Sequence, residues 1–340
     1  MVSIDTVRDS NSHITRLYGP NLVAVFVGGT SGIGESTARA FLRHTKGSHI
    51  YLIGRDEQRA SSIIDEIQQM YADAQVDFIK SDVSLLREVD KACHIIQQKE
   101  DKVNLLFLSP GIGTTKGRDE TSEGLDKKLS LHYYSRMRFV KNLLPQLNKA
   151  SESTDSGSTL SRVVSVLEAG GEAPLCLDDL SLKSHYSLRN CAKHAITMNS
   201  VSMEHLASAH PQISFIHSFP GIVRTRLGRD FGVMTKLAIN ALMVLAKPWE
   251  IPFEESGERH LYAATSPRFS SRAWKDNVSD VAEGSDGVPG SGFYRLGSDG
   301  STYNPNKVMQ QYREDGVRNS IWKHTLGVFA QVLGEQDVGL

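Results

Sequence analysis

Short apolar runs alternate with amphipathic stretches through the first half of the chain. Leu22 to Val27 is an unbroken apolar run with no polar position to face water, and it reads as a strand buried on both faces. His49–Ile53, Val76–Ile79, Val103–Leu108 and Arg162–Val166 read as four more strands. Between them the spacing changes to that of a helix. Asp56–Tyr71 places Ile63, Ile64, Ile67 and Met70 on one face, and Ser84 is the expected N-cap of a helix carrying Leu85, Val89, Ala92 and Ile96. Leu125–Leu147 reads as one long helix ending near Pro145. Such alternation predicts an α/β protein with a doubly wound parallel sheet, helices on both faces and ligands at the carboxyl ends of the strands.

The second half continues the pattern. Tyr186–Met198 is helical, Gln212–His217 is strand six, Glu258–Ser266 is another helix and Gly292–Leu296 is a last short strand. Ala282–Gly292, rich in Gly, Ser and Asp, is a surface loop, and Asn306–Leu333 is a helical region broken near Gly316, with Trp322 and Phe329 docked. At ~150 residues per domain the 340 residues suggest two domains, yet open α/β folds often exceed that length as one. The expected organisation is an N-terminal extension over 1–20, one domain over 21–300 and a helical extension over 301–340.

The first strand runs into Gly28-Gly29-Thr30-Ser31-Gly32-Ile33-Gly34, and this turn opens a helix pattern with Ala38, Ala40, Phe41 and Leu42. Strand, glycine turn and helix suit a dinucleotide phosphate: glycines admit the pyrophosphate close to the backbone, and free N–H groups at the helix start hold it. The spacing is G-x-x-x-G-x-G. It resembles the fingerprint T-G-x-x-x-G-[IL]-G of the short-chain dehydrogenase/reductase family, with Val27 where that family usually has Thr. The resemblance implies a Rossmann fold of three α/β/α layers and a cofactor site that includes Gly28, Thr30, Ser31, Gly32, Ile33 and Gly34. Phe219-Pro220-Gly221-Ile222-Val223-Arg224-Thr225 matches the family's P-G-x-V-x-T, so Pro220, Gly221, Val223 and Thr225 are expected at the nicotinamide carboxamide. Asp82 and Val83 are expected at the adenine, and Gly111 is the surviving glycine of the family's N-N-A-G, here Leu108-Ser109-Pro110-Gly111.

The end of strand two bears on cofactor choice. An NAD site places a carboxylate there, whereas this chain has Gly54 followed by Arg55, which suits a 2′-phosphate and therefore NADP(H). Arg59, one turn on, is a second candidate.

The family's catalytic set is less complete. Ala192-Lys193-His194-Ala195 looks like S-K-A-A, so Lys193 matches the lysine that holds the nicotinamide ribose. Four residues earlier stands Arg189 and not tyrosine, while Tyr186 lies a turn further back. Leu167-Glu168-Ala169-Gly170 replaces the serine motif, and the family's asparagine falls on His132. Tyr303-Asn304-Pro305-Asn306-Lys307 has the right spacing but reads as a chance match. His132 is expected to carry the proton, Arg189 to donate to an oxyanion, Lys193 to anchor the ribose, and Tyr186 is the next suspect.

Residues 171–184 lengthen the loop before this helix, as in the retinol-dehydrogenase-like branch of the family. The missing tyrosine resembles fungal members of secondary metabolism. Arg226–Ala246 stands where the family has its lid, within a lid region over 226–266, and its Met234, Leu237, Ile239, Leu242, Met243 and Leu245 suit a hydrophobic substrate or, equally, a dimer or core helix. With 38 basic and 39 acidic residues, nothing points to a nucleic acid. Three widely spaced cysteines suit free thiols in a reducing, cytoplasmic compartment, and no metal-ligand spacing occurs. Residues 1–20 do not read as a signal peptide, and Leu237–Ala246 is too short to span a membrane. A homodimer or homotetramer is left open. Three functions remain: an atypical NADP(H)-dependent oxidoreductase of a hydrophobic carbonyl or alcohol, a non-redox enzyme on the same scaffold, and a non-catalytic NADP-binding partner protein.

Overall fold

The computed structural model describes residues 2–152, 159–225, 228, 231–232 and 243–334. Seven strands, β1 (Val23–Val27), β2 (His49–Gly54), β3 (Gln75–Lys80), β4 (Leu105–Leu108), β5 (Arg162–Val166), β6 (Ser214–Ser218) and β7 (Phe293–Leu296), form one sheet. Their order is β3-β2-β1-β4-β5-β6-β7, and every pairing is parallel. Val27 pairs with both Ile53 and Leu108, so β1, β2 and β4 end level with one another. The winding reverses between β1 and β4, which opens a crevice at their carboxyl ends.

The all-apolar strands alternate between two cores. Val25, Val27, Tyr51 and Ile53 enter one and Ala24, Phe26, Ile50 and Leu52 the other. The second core is closed by α1 (Ile4–Ser12), α3 (Gly32–His44), α4 (Glu57–Met70) and α9 (Phe253–Thr265), with Ile14 of the short α2 (Ile14–Tyr18). The first is closed by α5 (Leu86–Lys99), α7 (Ser135–Ser151), α8 (Leu188–Ala209), α10 (Lys307–Glu314) and α11 (Val317–Leu333). A left-handed Gly316 separates α10 from α11 at the expected break. Trp322 and Phe329 are buried, Trp322 stacked on His205 of α8 and Phe329 under Arg138 of α7, and Thr325 meets the Tyr133 hydroxyl at 2.5 Å. No helix among the described residues is long and apolar enough to cross a membrane.

Three local expectations are corrected. Ser84 does not cap α5: Leu85 holds the N-cap position, and the Glu123 carboxylate accepts the Leu86 and Arg87 N–H groups at 2.6 and 3.0 Å. Ser84 instead donates to Asp82 at 2.8 Å. The helix expected over 125–147 is three pieces: the short α6 (Lys127–Leu129) started by Asp126, a wide π-helical turn over Ser130–Tyr134, and α7. α7 runs through Pro145 to Ser151 because buried apolar residues on both sides of the proline, Leu143 and Leu147, hold it. Arg226–Ala246, the expected lid, lies largely outside the described residues.

Candidate active site

The glycines of the β1–α3 turn are required by space. Gly28 has φ +82°, and a side chain on it would meet Ser109 and Pro110 at 3.1 Å. A Cβ on Gly34 would lie 2.5 Å from the Gly28 carbonyl. Gly32 has φ +58° and packs against Thr225, so the two family motifs, nearly two hundred residues apart in sequence, touch here. Ser31 is the N-cap of α3, yet its side chain makes no capping hydrogen bond. The first N–H groups of α3 thus lack a side-chain cap at the mouth of a cleft of about 270 Å³.

Gly28, Thr30, Ser31, Gly32, Ile33, Arg55, Asp82, Val83, Gly111, Pro220 and Thr225 line this cleft. Gly34 stands behind the cradle, and Gly221 and Val223 lie outside the lining. At the β2 end, a Cβ on Gly54 would approach Thr30 Oγ1 to 2.6 Å, so the backbone there sits too close for a side chain. Arg55 is exposed and makes no hydrogen bond or ion pair among the described residues, which leaves its guanidinium available. Arg59 is not available: its Nε donates to the Thr30 carbonyl at 2.6 Å and its Nη2 to Glu35 at 2.7 Å, a correction to its expected phosphate role.

The opposite end of the cleft is lined by Leu131, His132, Arg136, Val166 and Leu167. The Ile112 N–H donates to His132 Nε2 at 3.1 Å. That assigns the ring proton to Nδ1, which makes no hydrogen bond. Burial and the Arg136 charge push the His132 pKa down to about 3, against a smaller upward pull from Asp126. His132 is therefore a neutral imidazole at physiological pH. The half-buried ring offers Nδ1–H, and the downward shift runs against the proton-carrier role expected of it.

Sequence reading missed Arg136, one helical turn after His132 and 1 % exposed. Its Nη1 donates to Ser165 Oγ at 2.7 Å and to the Val166 carbonyl at 2.8 Å, its Nη2 to the Pro110 carbonyl at 2.7 Å and its Nε to the Leu131 carbonyl at 3.2 Å. It ties β4, β5 and the π-helical turn together, and no carboxylate among the described residues pairs with it. Burial pushes its pKa down to about 9, which leaves it charged at neutral pH. The i, i+4 spacing from His132 was the available signal. Asn199, also missed, accepts from Ser165 and donates to the His132 carbonyl at 2.6 Å, fixing that turn against α8.

The α8 candidates sit apart from this lining. Arg189, the expected oxyanion donor, is exposed on the first turn, makes no hydrogen bond or ion pair among the described residues and does not line the cleft. Lys193 is half-buried without a hydrogen bond and does not line the cleft. Tyr186 lies under Lys128, whose Nζ is 5.4 Å from the ring centroid, and its hydroxyl is buried without a partner. Burial, with Cys191 and Asp126 nearby, raises its pKa well above the ordinary value. Glu168 is exposed. The Tyr303 ring rests on Gly170, and Lys307 begins α10, so neither enters the cleft. No metal-binding group of His, Cys, Asp or Glu occurs among the described residues.

Sheet order, glycine turn and cleft define a doubly wound protein of the Rossmann type. Residues 22–234 match the family model described as short chain dehydrogenase, and the chain belongs to that family of oxidoreductases. It is 42 % identical to an oxidoreductase of Emericella nidulans over 98 % of this chain and 99 % of that one. A second oxidoreductase, of Emericella variicolor, is 38 % identical over 99 % of each chain. Among solved structures, an NADPH-bound carbonyl reductase from chicken fatty liver superposes with a TM-score of 0.55 at 16 % identity, over 84 % of this chain and 99 % of that one.

Proposed function

We propose that the cleft binds NADP(H) in preference to NAD(H), and that the chain acts on a hydrophobic carbonyl or alcohol, in secondary-metabolite biosynthesis. The observation that carries the cofactor reading is the pair Gly54 and Arg55. Gly54 offers no ribose-binding carboxylate, and a side chain there would crowd that of Thr30, while Arg55 lines the cleft with its guanidinium uncommitted among the described residues. The uncapped start of α3 and the crowded glycines Gly28 and Gly34 fit a pyrophosphate. Bound NADPH supplies the hydride. The protein's part is to hold the ring against Pro220 and Thr225 and to receive an apolar substrate beside Leu131, Val166 and Leu167.

Calorimetric titration is expected to show NADPH binding at least tenfold tighter than NADH, a difference of ~1.4 kcal/mol. Arg55→Ala should remove that difference by weakening NADPH alone; equal affinity of the unaltered protein for both would refute the reading.

A second reading, a non-redox step such as isomerisation, is favoured by one observation: no tyrosine or lysine of the described residues lines the cleft. Product formed without loss of nicotinamide absorbance would select it.

A further inference from the structure

The far end of the cleft holds two groups that bind negative charge and none that gives up a proton near neutral pH. A hydride added to a simple ketone leaves an alkoxide, a strong base that needs an acid within hydrogen-bond reach. Among the described residues lining that end, the titratable groups are His132 and Arg136. His132 is neutral and would have to become an imidazolate to donate, and a guanidinium retains its proton. Ser109, nearby, already donates its hydroxyl to the Val27 carbonyl at 3.2 Å.

What these two groups can do is hold an oxyanion. A backbone N–H fixed on Nε2 leaves His132 one tautomer, with Nδ1–H as its single unpaired donor. Arg136 uses four of its five N–H groups on oxygens that carry no formal charge, so its positive charge has no buried counter-ion. Such a charge, 1 % exposed, strengthens any anion held beside it. Asp126 and Lys128, the other charged groups acting on His132, are of opposite sign and pair with each other at 3.5 Å.

We propose that His132, locked as a neutral Nδ1–H donor by the Ile112 N–H, and the carboxylate-free guanidinium of Arg136 form an oxyanion-binding pair. The substrate oxygen they serve carries delocalised charge, as an enolate or phenolate does. This rests on the cleft being the cofactor and substrate site. For a redox substrate the matching class is a conjugated enone. Hydride forms a bond to the β-carbon, the double-bond electrons move through the carbonyl to oxygen, and the resulting enolate takes its proton from water at the α-carbon. No acidic side chain is needed, because a delocalised oxyanion is a weaker base than an alkoxide.

The test uses the full chain saturated with NADP⁺ and para-nitrophenol as the oxyanion probe, with ionisation followed by visible absorbance. The bound probe is expected to ionise at least one pH unit below its free value, a tenfold preference for phenolate. His132→Phe and Arg136→Lys should each reduce that preference at least threefold, with circular dichroism checking the fold. Nitrogen NMR of the unaltered protein should find the His132 proton on Nδ1. A probe that binds with unchanged ionisation, a probe that does not bind, or a proton on Nε2 overturns the inference. NADPH affinity measured alongside separates the cases: intact NADPH binding with no phenolate preference sinks this inference alone, whereas absent NADPH binding sinks the cofactor reading.

Discussion

Gly54 leaves the end of β2, at the edge of the cleft, without a side chain. Its backbone passes so close to Thr30 that a Cβ would sit 2.6 Å from Oγ1. Replacing it by the carboxylate of an NAD site therefore does more than add charge. Gly54→Asp is expected to weaken NADPH and NADH together, because Thr30, which lines the cleft, must move. Adding Thr30→Gly should then restore NADH binding selectively; calorimetry on both variants checks this. The missing carboxylate and the neighbouring arginine were legible in sequence, but the close approach of Thr30 to Gly54 was not. His132 shows the opposite limit: its position was readable by counting back from Pro145, while its protonation depends on Ile112 and Arg136, which only folding brings to it.

At the scale of elements, Glu258 of α9 is the junction of the N-terminal helix with the body of the protein. Asn11 of α1 donates to it at 2.7 Å, Arg43 of α3 at 3.0 Å, and the ring of His44 lies at 3.1 Å. Burial works to raise the Glu258 pKa, but these partners hold it down to about 2. The folded-state value lies below the ordinary 4.5, so the stability it contributes is complete above that pH and is lost as pH falls toward about 2. Glu258→Gln is expected to cost ~2 kcal/mol at neutral pH. Its difference from the unaltered protein should shrink through that acid window, as read from urea midpoints at several pH values. The residues over 1–20 were read only as an extension: Val7, Asn11 and Ile14 are spaced as one helix face, but the middle one is polar, so the face does not read as an apolar stripe.

At the scale of the whole molecule, a fully buried cluster binds the late strands to the loop after β5. Glu172 accepts from Arg295 of β7 at 2.8 Å and from Ser200 of α8 at 2.7 Å, and Ser200 lies 2.7 Å from His217 Nδ1 of β6. Arg295 also donates to the Asn304 carbonyl, and Asn306 to that of Glu172, which fastens the approach to α10. Removing one partner strands the other charge away from water. Arg295→Met is expected to destabilise the protein by ~3–5 kcal/mol, and the double change Arg295→Met with Glu172→Gln by clearly less. Urea denaturation of the three proteins measures it.

The sequence by itself determined the layers, the seven strands' run of elements and the glycine turn that lines one end of the cleft. Those features are written in local terms: apolar runs too long to leave a polar face, helical spacing, and glycines at fixed offsets from a strand. Family spacing also pointed to His132, which lines the cleft, and to Lys193, which does not. Only the tertiary structure decided which of the candidates share a cavity. Arg189 occupies the register of the family's tyrosine but turns to solvent, Tyr186 buries its hydroxyl under Lys128, and Arg136 comes in from a neighbouring helix turn. Register along one helix fixes the order of side chains, whereas the face that meets the cleft depends on how α7, α8 and the ends of β4 and β5 pack. A buried charge without a counter-ion is a property of that packing, and no single stretch of sequence contains it.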